Sequence, residues 1–119
     1  MESILTSIKK MLGIAEECTN FDADLIMHIN SVFSILTQLG VGPSNGFSIK
    51  DEDAVWTDFI PEETNLECIK SYMHLKVKML FDPPLSSAVM ESMKQMSAEF
   101  EWRIQVAAES NKKEEIQNG

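Results

Sequence analysis

Positive charge is scarce in this chain. Ten Lys and Arg stand against nineteen Asp and Glu in 119 residues, a formal net charge of -9. Holding phosphates takes a basic surface, so a general nucleic-acid binder is excluded. Proximity to DNA is not, because an acidic wall lets DNA slide past without sticking. Cysteine is scarce as well. Cys18 and Cys68 lack CxxC spacing and no signal peptide precedes them, so two reduced thiols in a cytoplasmic protein are expected. Long apolar runs are missing too. None approaches the roughly 20 residues of a membrane span, and a soluble protein without a membrane partner is the expectation.

The sequence is equally poor in groups that do chemistry. It holds two histidines, no nucleophile paired with a base, no glycine-rich phosphate loop and no paired-carboxylate site. Asp24 and His28, four apart with Asp22 nearby, have the spacing of two metal ligands but lack a third. Asp22 and Asp24 are also favourable charges at a helix start. Asp51-Glu52-Asp53 with Glu62 imitates part of a calcium loop, yet puts Val55 and Trp56 where that loop needs an oxygen ligand and a glycine. No catalytic residue, metal or cofactor is expected, and the chain does not read as an enzyme.

What is present is helical periodicity. The length suits one domain, and the hydrophobic fraction of 44% and charged fraction of 24% are those of a globular protein. The spacing predicts an all-α fold of four helices with a long central loop and a long C-terminal helix. Ile4, Leu5, Ile8, Met11, Leu12 and Ala15 mark a short first helix that stops at Gly13-Ile14. Leu25, Ile29, Val32, Phe33, Leu36 and Leu39 mark a second, capped by Asp22 or Asn20 and ended by Gly40. From 40 to 61 the pattern disappears. Gly42-Pro43 and Asn45-Gly46 are turn signals, Phe47 and Ile49 alternate like a very short strand with room for a small hairpin, and Val55, Trp56, Phe59 and Ile60 supply apolar anchors. About twenty residues without regular structure in so small a domain have work to do. An ordered loop is expected, with Trp56 and Phe59 docking on the helices or on a neighbouring subunit.

The stretch 65–81 carries two apolar stripes. Leu66, Ile69, Met73, Val77, Leu80 and Phe81 form one, and Cys68, Tyr72, Leu75 and Met79 the other. A helix apolar on two sides must be covered twice, so it is central or touches another chain. Thr64-Asn65-Leu66-Glu67 has the form of a capping box, and Pro83-Pro84 ends the helix. Lys70, His74 and Lys78 line one side. Cations near a helix C-terminus are favoured by its dipole; the sharper reading is that they meet Glu91, Glu99 or Glu101 of a neighbouring subunit. Ser86 or Ser87 opens a last helix to about Glu109, about 36 Å long, with Val89, Met93, Met96, Phe100, Ile104 and Ala107 as its core stripe. Trp102 falls on the opposite, polar side, where an aromatic marks a surface that becomes buried on association. Residues 1–109 form the expected domain and 110–119 a flexible polar tail.

The order of these signals resembles a known family. Lys9-Lys10-Met11-Leu12-Gly13-Ile14 followed by Phe21-Asp22-Ala23-Asp24-Leu25-Ile26 is similar to the head-tail connector proteins of long-tailed bacteriophages and prophages. Leu39-Gly40-Val41-Gly42-Pro43, Gly46-Phe47-Ser48-Ile49 and Trp56-Thr57-Asp58-Phe59 resemble that family's central loop, and Tyr72 through Pro84 with Ser86 to Met93 its most recognisable segment. The resemblance implies a helical subunit that forms a ring under the capsid portal protein, bridges to other head-tail joining or tail proteins and leaves a path for DNA without reading its sequence. It implies assembly in the bacterial cytoplasm and residence in the virion. Tyr72, Leu75, Met79, Lys70, His74, Lys78, Trp102, Trp56 and Phe59 are the candidate subunit contacts. An acidic helical binding or inhibitor protein, a DNA mimic or a regulator, is the alternative, weakened because the carboxylates are spread over the loop, the last helix and the tail.

Overall fold

The computed structural model describes residues 2–61 and 65–118, with side chains to Ser110. The described elements are α1 (Ile4–Met11), α2 (Asp22–Gln38), the one-turn α3 (Trp56–Phe59), α4 (Leu66–Phe81) and α5 (Ser87–Asn118). The fold is all-α, as the periodicity predicts, with one short helix more than expected inside the central loop.

The glycine stops work through hydrogen bonds. After α1, Gly13 N donates to Lys10 O at 3.1 Å and Ile14 N to Lys9 O at 2.8 Å. After α2, Gly40 and Val41 repeat the pattern onto Thr37 O and Leu36 O. Both are Schellman ends, with the glycine at positive φ and the next apolar residue packed against the core. The start of α2 departs from expectation. Neither Asn20 nor Asp22 caps it; Phe21 holds the cap position without a side-chain bond. Asp22 instead lies 2.9 Å from Lys9 Nζ, an ammonium 3% exposed that also donates to Glu16 O. A buried cation needs such partners, and this pair ties the end of α1 to the start of α2. The capping box expected at Thr64 lies outside the described residues.

No strand or hairpin forms in the described part of the 40–61 loop, where one isolated bridge joins Ser3 and Val55. The reason lies on α2. The Asn30 side-chain amide accepts from Ile49 N at 2.8 Å and donates to Ile49 O at 3.0 Å, so it supplies both bonds that a neighbouring strand would have offered. The aromatics fasten the rest. Phe33 of α2 has Phe59 at 4.6 Å, Phe47 at 5.0 Å and Trp56 at 6.3 Å between ring centroids. Trp56 Nε1 donates to Ser7 Oγ at 2.9 Å, which hands the bond on to Ile4 O.

α4 is central, covered by α1 and α2 on one side and by α5 on the other, which explains its two apolar stripes. α5 differs from expectation in face and length. Met93 and Ile104 are buried and Phe100 half-buried, but Ser97 is buried where Val89 and Met96 are about half exposed. The helix also continues past Glu109 to Asn118. No glycine or proline interrupts 87–118, and at 1.5 Å per residue its 32 residues span about 48 Å, the long dimension of the molecule.

Candidate assembly interface

The nine candidate contact residues separate into two groups. Trp56, Phe59 and Tyr72 belong to the subunit's own core, each at most 3% exposed. The two loop aromatics therefore dock on the helices of their own chain. Tyr72 lies between α4 and α5, where its hydroxyl donates to Glu101 Oε2 at 2.7 Å. In this conformation these three side chains offer no surface to another chain. Lys70, His74, Leu75, Lys78 and Met79 are half-buried on α4, and Trp102 is 65% exposed on α5.

The basic side of α4 is partly neutralised by its own helix. Lys70 Nζ lies 3.6 Å from Glu67 and 5.7 Å above the Trp56 ring, so it serves the loop anchor as a cation over an aromatic face. Lys78 Nζ lies 3.2 Å from Asp82 one turn on. His74 is held below the ordinary imidazole value, first by burial and then by the Lys78 charge, which keeps it uncharged near neutral pH. Two of the three acidic partners are likewise engaged within the chain, Glu99 with Arg103 one turn on and Glu101 with α4.

Glu101 is the acceptor that periodicity alone would put at the surface. One of its oxygens receives Tyr72, the Ser97 hydroxyl at 3.3 Å and the Lys76 ammonium at 3.7 Å. Burial, then the bond to Glu101 and its charge, push the Tyr72 phenol well above its ordinary value. Burial also raises the Cys68 thiol, against a smaller opposing effect of Arg103. Lys76 and Ser97 lie outside the residues the sequence singles out, and Glu101, expected to face a neighbouring subunit's basic stripe, here meets its own chain. A lone Tyr in an apolar stripe was the signal, because a buried hydroxyl needs a partner.

Exposed apolar side chains continue around the outside. Val89, Met96 and Val106 join Trp102 on α5, and Phe21 and Leu80 flank Phe81 where α2 begins and α4 ends, with the Phe21 and Phe81 rings edge-on at 5.5 Å. Among the described residues no cluster of three His, Cys, Asp or Glu side chains is placed to hold a metal, and no helix is long and apolar enough to cross a membrane.

No curated protein and no solved structure matches the chain. A protein family does: the one described as phage connector protein matches residues 4–111, from the first residue of α1 well into α5. With nearly the whole helical body inside that match, the chain belongs to the phage connector protein family.

Proposed function

We propose that this protein is a structural subunit that closes into a ring under the portal of a phage capsid, joins head to tail and leaves an axial path for DNA. The observation that carries the reading is the family match over residues 4–111. Phage connectors are structural proteins of the virion, and no catalytic role is assigned. The charge of -9 supports a wall past which DNA moves freely. The portal protein, further copies of this chain and neighbouring head-tail or tail proteins are the partners.

Ring closure requires two different, complementary patches on each copy. The half-buried side of α4 that carries His74, Leu75, Lys78 and Met79 is one candidate, and the outward face of α5 around Trp102 is the other. Sedimentation of the protein mixed with the portal protein of the same phage tests the proposal. Co-sedimentation is expected; two independently sedimenting species would overturn it.

A further inference from the structure

α5 is attached to the subunit through α4, the element on which it packs. Its inward side mixes apolar Met93 and Ile104 with Ser97 and Glu101, and Glu101 meets Tyr72 and Lys76 of α4. The connection between the two helices is residues 82–86. Asp82 has already left helical geometry, at φ -141° and ψ 66°. Pro83 and Pro84 follow, and Leu85 is fully exposed. Adjacent prolines hold a chain on a stiff, extended course. Five extended residues reach at most about 17 Å. Such a connection does as well running straight on as doubling back.

The contact that α5 makes with its own α4 can be made equally with the α4 of another copy, because the two surfaces are identical in both arrangements. The exchange needs no new attraction between outer faces and can act beside one. Each copy carries -9, and Lys70, Lys78 and Arg103 are matched on their own helices by Glu67, Asp82 and Glu99. Lys10, Lys50 and Lys94 are the exposed cations left without an ion pair among the described residues.

We infer that copies assemble by exchanging α5. Each subunit's last helix leaves its own α4 and seats on the α4 of the next copy, so that Tyr72 of one chain donates to Glu101 of another. Passed head to tail, the exchange generates a closed ring. The inference rests on the ring-forming reading above and adds how the copies hold one another.

Lys76 Nζ and Glu101 Oε2 lie 3.7 Å apart, within reach of a zero-length carbodiimide cross-link. Equal amounts of heavy-isotope and unlabelled protein are mixed as monomers, assembled on the portal protein of the same phage, cross-linked, digested and read by mass spectrometry. Before assembly, every Lys76-to-Glu101 product should carry a single isotope. After assembly, about half should join one heavy and one light peptide. Single-isotope products in the assembled species would overturn the exchange and leave the connector reading standing. A failure to assemble at all would overturn that reading, and the exchange with it.

Discussion

Tyr72 and Glu101 join α4 to α5 through a 2.7 Å hydrogen bond that is buried at the tyrosine end. Tyr72 is also the sole tyrosine of the chain, so both the bond and its loss can be observed directly. Tyr72→Phe keeps the ring and removes the donor to a charged acceptor, which should cost about 1.5–3 kcal/mol. The measurement is the urea midpoint, with an unchanged slope if the native state stays as compact. An unchanged midpoint would mean that Ser97 and Lys76 hold Glu101 without it.

The raised phenol pKa makes stability depend on alkaline pH. The folded state holds the Tyr72 proton more tightly than the unfolded state, whose phenol titrates near about 10. The contribution is therefore fully present below about pH 10 and is lost as pH rises from there toward the folded value. Tyrosinate absorbance should appear together with the loss of helical circular dichroism, and Tyr72→Phe should lack this component of the pH dependence. Tyrosinate formation near pH 10 in a protein still fully helical would contradict the buried bond.

Gly42 and Gly46 separate two costs of adding a side chain. Both have positive φ, but a Cβ at Gly42 would collide with the Phe59 ring, whereas one at Gly46 meets open space. Gly46→Ala should cost about 1–2 kcal/mol from backbone conformation alone. Gly42→Ala should cost about 1–3 kcal/mol more, from crowding the aromatic cluster. Thermal unfolding of the two variants side by side checks the order, and equal midpoints would refute it.

Trp102 is the test of the outer face. Its exposed ring contributes little within the subunit, so Trp102→Ala should leave monomer stability within about 0.5 kcal/mol. If the ring is an anchor between chains, assembly should weaken by about 2 kcal/mol or more, roughly 30-fold in concentration. Sedimentation over a dilution series reads assembly, and urea unfolding of the monomer reads stability.

Where the structure follows the sequence, a local rule sufficed. Gly13 and Gly40 end helices because each takes a positive φ and is followed by an apolar residue that packs back, and Pro83-Pro84 stops α4 because it cannot supply the next N-H. The second stripe of α4 correctly required a second cover. What it could not distinguish was a cover from the same chain, which α5 supplies within the single subunit, from one supplied by a neighbour.

The remaining departures are long-range and polar. Periodicity treats Lys9, Asn30, Ser97 and Glu101 as surface residues because it counts apolar side chains only. Lys9 is buried because Asp22 and the Glu16 carbonyl meet it, and Asn30 replaces a strand because Ile49 is carried to it from nineteen residues away. The inward face of α5 turns toward Ser97 and Glu101, leaving Met96 and Val89 outside, because the hydroxyl of Tyr72 needs an acceptor there. Each outcome depends on a partner distant in sequence.

The most direct test of the connector account is the mass of the purified protein in solution. Light scattering across a concentration series, alone and then with the portal protein of the same phage, reads assembly against a subunit of 13.4 kDa. The account predicts a mass of several subunits for the protein alone, or, once portal is present, a complex heavier than the portal by several subunits. A single-subunit mass at every concentration, unaltered by portal, would contradict it.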